Sequence, residues 1–79
     1  MSEKELRILY GIFGECWQHL KNHSNPDDTE AFWVKLRDDG SAIGKKYDDP
    51  IEHQLVVDLV TAANGVIQRY YRRNTDVLR

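Results

Sequence analysis

Apolar residues recur every three or four positions along most of this 79-residue chain, and that spacing predicts α-helices. A Ser2–Glu5 capping box opens the first helix, the segment around Pro26 interrupts the pattern, and Pro50 opens the third helix. We expect helices over about residues 3–22, 28–47 and 50–72, with residues 73–79 as a frayed tail. Three helices with short connections predict one all-α domain, an up-down-up bundle.

The first helix contains an apolar stripe that we expect to face the core. This stripe consists of Leu6, Leu9, Phe13, Cys16, Trp17 and Leu20. Ile8 and Ile12 point away from it, on the same side of the helix as Glu15. We therefore expect these two isoleucines to be available for contact with another protein.

The middle segment allows two interpretations, because Asp39–Gly40 is typical of a tight β-hairpin turn. The apolar positions keep helical spacing through that glycine, namely Phe32, Leu36, Gly40, Ile43 and Tyr47. A hairpin requires strict alternation of apolar and polar residues, and the run from Val34 to Asp38 supplies too little of it. We predict one helix, weakened by Gly40 and Gly44 at about 1 kcal/mol each relative to alanine.

The third helix is apolar around more of its circumference than one neighbouring helix can cover. One apolar face contains Ile51, Leu55, Leu59, Ala62, Val66 and Tyr70, and the adjacent one contains Val56, Val60, Ala63, Ile67 and Tyr71. A chain this short is only marginally stable as a monomer. We therefore expect a homodimer or a higher oligomer. The expected interface residues are Ile8, Ile12, Val56, Val60, Ile67 and Tyr71.

The charge balance disfavours several classes of partner. The chain has 11 basic and 13 acidic residues and a net charge of −2, which indicates neither a nucleic acid nor an anionic membrane. Its single cysteine, Cys16, excludes a disulfide framework and favours a reducing compartment. The start of the chain lacks the pattern of a signal peptide, and no apolar run is long enough to cross a bilayer. We expect a cytoplasmic protein with a protein partner.

Glu15, His19 and His23 follow one another at intervals of four residues, which places them along one line of the first helix. Two histidines at this spacing, with a carboxylate one turn earlier, can bind a metal ion. Solvated polar residues near a helix C-terminus explain the same pattern without a metal. We expect no metal and no cofactor.

A basic and aromatic cluster lies near the end of the third helix and contains Arg69, Tyr70, Arg72 and Arg73. Guanidinium groups beside a tyrosine can hold a phosphate or stack on a nucleotide base. Arginines also favour a helix C-terminus, and these could pair with Asp27 and Asp28 in the loop after the first helix. A small-ligand binder that sequesters a nucleotide or phosphate is therefore one alternative function.

The chain contains no arrangement of side chains typical of an enzyme. No serine lies in a nucleophile elbow, Cys16 has no base on its own face, and the carboxylates occupy caps and charged faces. We expect a protein without enzymatic activity. A DNA-binding regulator is disfavoured as well, because a recognition helix is basic and exposed whereas the third helix is mostly apolar.

Three short motifs, Phe32–Trp33, Lys45–Lys46–Tyr47 and Asp58–Leu59–Val60, link the chain to a known group. Together they resemble small helical proteins found in prophages and mobile elements of Firmicutes, over roughly Phe32 to Arg73. This chain departs from that group at Gly40 and Gly44, where those proteins carry helix formers. The resemblance implies a phage-type accessory protein that acts by protein–protein binding and inhibits a host factor.

Overall fold

A computed structural model describes the backbone of residues 1–77 and the side chains of residues 1–75. Its elements are α1 (Glu3–Asn22), α2 (Glu30–Gly44) and α3 (Pro50–Val77), and the described residues form no strand. The all-α three-helix bundle is therefore confirmed, and α2 runs through Gly40 without the hairpin. The helix α2 is shorter at both ends than the predicted span.

Local capping residues explain where the first and third helices begin. The backbone amide of Ser2 donates to the Glu5 carboxylate at 2.7 Å, and the Glu5 amide donates to Ser2 Oγ at 3.1 Å. This is the reciprocal capping box that the sequence predicts. Asp49 Oδ1 accepts from the amides of Ile51 and Glu52 at 2.9 and 3.2 Å, which fixes the first turn of α3.

The start of α2 depends on Thr29 rather than on the two aspartates before it. Thr29 Oγ1 accepts from the amide of Phe32 at 3.3 Å, and Asp27 accepts from the amide of Thr29 at 2.8 Å. Asp27 therefore orients the cap instead of entering the helix, which begins at Glu30.

The far end of α3 also differs from the prediction. The helix continues through Arg73 to Val77, so no frayed tail begins at Arg73. The last part of the predicted tail, residues 78–79, lies outside the described residues.

The helix α2 runs antiparallel to its two neighbours. Trp33, near its start, packs against Tyr71 near the end of α3, with ring centroids 5.3 Å apart. Gly44, at its end, lies beside His53 in the first turns of α3. The helices α1 and α3 share the most extensive contact of the bundle. The topology is the predicted up-down-up arrangement.

The core is small, and α1 turns an unexpected side towards it. Ile12 is fully buried and packs with Cys16 and with Val56 of α3. Leu36 of α2 and Ile67 of α3 are also buried. The prediction that Phe13 and Trp17 face the core is wrong, because both are more than half exposed, as is Tyr10.

Two glycines allow α2 to lie close to α3. A Cβ atom at Gly40 would be 2.6 Å from Val60 Cγ1, and one at Gly44 would be 3.4 Å from the His53 ring. The helix-weakening glycines of the sequence therefore serve packing, because any larger residue at position 40 would separate the two helices.

Among the described residues, no helix is both long enough and apolar enough to cross a membrane.

Candidate functional site

A ridge of large apolar side chains lies exposed along α1. It consists of Leu6 (50% exposed), Tyr10 (82%), Phe13 (54%) and Trp17 (60%). Spacings of four, three and four residues place these side chains on one line of the helix. The ridge is exposed because α1 turns its Ile12 side inwards, about a third of a turn away. A water-exposed row of three aromatic rings is unusual in a monomeric protein.

The neighbouring helix α3 contributes a second apolar ridge. Ile51 is 78% exposed and Tyr70 is 52% exposed, with Val66 between them in space and also exposed. Leu55 and Leu59 are partly buried, while Ala62 is exposed. The members of this ridge are Ile51, Leu55, Leu59, Ala62, Val66 and Tyr70.

Both ridges border the same groove, on the side of the bundle opposite α2. On α1, Glu15 accepts a hydrogen bond from Lys46, which follows α2, so the Glu15 side of the helix faces α2. The exposed ridge lies on the other side of Ile12 and faces away from α2. On α3, Val60 contacts α2, and the exposed ridge again lies on the other side. We call the two ridges together the α1–α3 apolar face.

One end of this face shows the two helices meeting directly. A shallow groove there is lined by Leu20 and Pro26 together with Val66, Ile67 and Tyr70. Leu20 lies three residues after Trp17, the last residue of the α1 ridge, and Val66 and Tyr70 belong to the α3 ridge, so the groove lies between the ends of the two ridges. The face is therefore one surface rather than two separate patches.

The interface residues predicted from the sequence lie elsewhere. Ile12, Val56 and Ile67 are buried within the single chain, which leaves them no surface to offer a partner. Ile8, Val60 and Tyr71 are half-buried, with Tyr71 packed against Trp33. That prediction is wrong for the three buried residues, because α1 and α2 together cover the side of α3 that was assigned to a partner.

Two histidines of α1 are buried by polar partners on the other helices. His19 and His23 are 3% and 5% exposed, so the expectation that they are solvated is wrong. His19 Nε2 lies 2.9 Å from Asn64 Oδ1 of α3, and His23 Nε2 lies 3.0 Å from Asp39 Oδ2 of α2. His23 Nδ1 donates to the carbonyl oxygen of His19 at 2.7 Å. These bonds satisfy polar groups that would otherwise be costly to bury.

Asp39 lies at the edge of this network and also contacts solvent. Lys35 Nζ donates to Asp39 Oδ2 at 2.7 Å. The Lys35 ammonium, with a smaller contribution from His23, lowers the pKa of the Asp39 carboxyl below its ordinary value. Asp39 thus contacts both the Lys35 ammonium and the buried His23 ring.

Glu15 is directed towards the chain segment after α2 rather than towards the histidines. Its carboxylate accepts from Tyr47 Oη at 2.7 Å and from Lys46 Nζ at 3.0 Å. The Tyr47 hydrogen bond lowers the pKa of Glu15 against the opposing effect of burial. The same bond raises the pKa of Tyr47 to about 12.

The weak metal candidates Glu15, His19 and His23 therefore have three different sets of partners. Within the described residues, no three His, Cys, Asp or Glu side chains converge in a way that could hold a metal ion. Although the three residues lie along one line of α1, their side chains point to different partners because α2 and α3 contact the helix from different sides.

The basic cluster lies on the exposed part of α3 near its end. Arg69, Arg72 and Arg73 are exposed, and the Arg73 guanidinium lies 4.6 Å above the Tyr70 ring. The sequence suggested that these arginines could pair with Asp27 and Asp28. Among the described side chains, none of the three lies within 4.0 Å of either carboxylate. A phosphate or nucleotide site at this position stays a prediction.

Comparison of the chain with protein-family models, with curated proteins and with solved structures finds no significant match.

Proposed function

We propose that this chain is a non-enzymatic protein that acts by binding another protein chain through the α1–α3 apolar face. The exposed ridge of Leu6, Tyr10, Phe13 and Trp17 is the observation on which the proposal rests. Exposure of large apolar side chains to water is unfavourable, and coverage by a partner removes that free-energy cost.

The chemistry of the face favours protein over other macromolecules. The side chains that form the two ridges are uncharged, whereas a nucleic-acid surface needs lysines and arginines. Protein interfaces are enriched in tyrosine, tryptophan and phenylalanine and poor in charge at their centre. Tyr10 and Trp17 are also the residue types that contribute most to binding energy in such interfaces.

The polar residues of the bundle support the same proposal. Glu15, His23 and Asp39 each have a hydrogen-bond partner inside the protein. Their geometry stabilises the contact of α1 with α2, which accounts for them without a substrate. In the apolar face, Leu55 and Leu59 also pack against the core, whereas Tyr10, Phe13 and Trp17 are more than half exposed.

The resemblance of residues 32–73 to prophage proteins fits a protein that works by contact. On this proposal the chain is a phage-type accessory protein that works by protein–protein contact. The resembling segment includes the whole α3 ridge, and the more exposed ridge lies on α1, outside that segment.

Site-specific photo-cross-linking in cells that produce the protein tests the proposal. A photoactivatable phenylalanine derivative would replace Tyr10 in one experiment and Arg37, an exposed residue of α2 away from the face, in the other. We expect a protein adduct from position 10 only. Addition of Trp17→Glu to the same chain should abolish the adduct, because it places a charge at the centre of the contact.

Adducts of equal yield at positions 10 and 37 would contradict a specific face. An adduct at position 10 that survives Trp17→Glu would contradict binding through the ridge. Adducts to nucleic acid at position 10 would replace the proposal with a different one.

A further inference from the structure

We infer that a second copy of this chain covers the α1–α3 apolar face, so that the protein is a two-fold symmetric dimer. The inference rests on the proposed function and names the partner. It replaces the buried contact residues predicted from the sequence with a different surface, Leu6, Tyr10, Phe13 and Trp17 on α1 and Ile51, Val66 and Tyr70 on α3.

The area of the face matches what a stable dimer requires. Aromatic side chains offer about 200 Å² each, so the exposed fractions of Tyr10, Phe13, Trp17 and Tyr70 correspond to roughly 500 Å². The aliphatic residues of both ridges add to this. The total approaches the about 800 Å² per partner of a standard interface.

The uncharged side chains of the two ridges are compatible with an identical partner. A two-fold axis brings each residue of the face near its own copy or that of a neighbour, so any charged group there would meet like charge. The side chains that form the two ridges are uncharged, and charged residues such as Arg7, Glu52 and Arg69 flank them. A different protein partner is usually selected by complementary charges, and the ridges have none to present.

The shape of the face is also self-complementary. Tyr10 is the most exposed residue of the α1 ridge. The groove between α1 and α3 is lined by Leu20 and Val66 and lies towards the Trp17 end of the ridge. In a two-fold dimer the aromatic ridge of one copy lies in the groove of the other. Since α2 lies on the opposite side of the bundle, such a dimer brings two α1 and two α3 helices together in a four-helix arrangement, with α2 outside.

Sedimentation velocity over a protein concentration series tests the inference. We expect the purified chain to sediment at twice its 9.2 kDa mass at high concentration and to dissociate on dilution. Tyr10→Glu and the double variant Tyr10→Glu/Trp17→Glu should shift the dissociation constant upwards by at least tenfold. Both side chains are exposed in the single chain, so circular dichroism should show unchanged helix content.

Val57→Glu is the matched control. Val57 is 41% exposed on the α2 side of α3, and its substitution adds the same charge away from the face. We expect this variant to dimerise as the unmodified chain does.

A mass of one chain throughout the series would overturn the inference, as would a mass above two chains. A dimer that tolerates Tyr10→Glu/Trp17→Glu, or one disrupted equally by Val57→Glu, would overturn it too. If Tyr10→Glu alone unfolds the chain, the exposed position assigned to that residue is wrong and the inference falls with it. A monomer that still forms a face-specific adduct with another protein would remove the dimer but leave the proposed function intact.

Discussion

Replacement of Gly40 by alanine should destabilise the protein, although alanine is the better helix former. The added Cβ would lie 2.6 Å from Val60 Cγ1 and 3.6 Å from His19 Cε1. Valine in a helix strongly prefers one side-chain rotamer, so its methyl group cannot easily rotate away. The variant must therefore move α2 away from α3.

The magnitude follows from two opposing contributions. Overpacking of a close contact costs about 1–3 kcal/mol, and the higher helix propensity of alanine returns about 1 kcal/mol. We expect a net loss of about 1 kcal/mol in the free energy of unfolding, which lowers the melting temperature by about 4–8 °C in a domain of this size. Gly11→Ala is the control, because no atom lies within 4 Å of a Cβ there. It should raise the free energy of unfolding by about 1 kcal/mol.

A double-mutant cycle with Val60→Ala isolates the contact. Once Val60 Cγ1 is removed, Gly40→Ala should become stabilising, which corresponds to a coupling energy of about 2 kcal/mol. Urea unfolding followed by circular dichroism at one fixed protein concentration provides the measurement, since association also affects stability. If Gly40→Ala stabilises the unmodified chain as much as Gly11→Ala does, the close approach of α2 to α3 is refuted.

Four further predictions concern the polar contacts and the basic cluster. A phenolate absorbance titration should show one tyrosine with a pKa of about 12, and Tyr47→Phe should remove that step. The hydrogen bond of Tyr47 with Glu15 should contribute fully to stability between pH 4.5 and pH 10, the ordinary pKa values of the two groups. Its contribution should be lost at low pH, as Glu15 is protonated at its lowered pKa, and at high pH, as Tyr47 ionises at about 12. Asp39→Ala should lower the free energy of unfolding by about 1–3 kcal/mol in urea titrations, because it removes the partner of a buried histidine nitrogen, whereas Lys35→Ala should cost less than about 1 kcal/mol. Arg72→Ala with Arg73→Ala should change the free energy of unfolding by less than about 1 kcal/mol, since only a cation–π contact is lost; unfolding of that variant would make these arginines structural.

The helices could be predicted from the sequence because their determinants are local. The Ser2–Glu5 capping box and the periodic apolar residues lie within the helix that they define, and α1 spans Glu3–Asn22 as expected. The end of α3 was harder to predict, because no capping glycine marks a stop after Arg72.

The buried side of α1 could not be predicted in the same way. The helix has two competing ridges, one with Tyr10 and Trp17 and one with Ile12 and Cys16 that continues into two histidines. Hydropathy favours the first ridge, but the second is buried because Asn64 and Asp39 satisfy the histidines. Those partners lie 45 and 16 residues away in sequence, so only the tertiary structure brings them together.

The candidate site was missed for the same physical reason. Spacings of four, three and four residues from Leu6 to Trp17 are visible in the sequence, but they predict a core helix as readily as an exposed ridge. A chain that places large aromatic residues outside and histidines inside contradicts the usual distribution of these residue types. That inversion leaves the α1–α3 apolar face exposed in the single chain.

The most direct test of the central claim uses the two tryptophans of the chain. With fluorine-labelled tryptophan incorporated, Trp17 reports on the apolar face, and Trp33, packed against Phe32 and Tyr71, is the internal reference. The change in fluorine chemical shift between H₂O and D₂O measures how far each ring is exposed to solvent. We predict that Trp17 is solvent-accessible in dilute protein and becomes protected as the concentration rises, while Trp33 stays unchanged. A Trp17 signal that remains solvent-accessible at every concentration and in the presence of the cross-linked partner would contradict the claim that another chain covers this face.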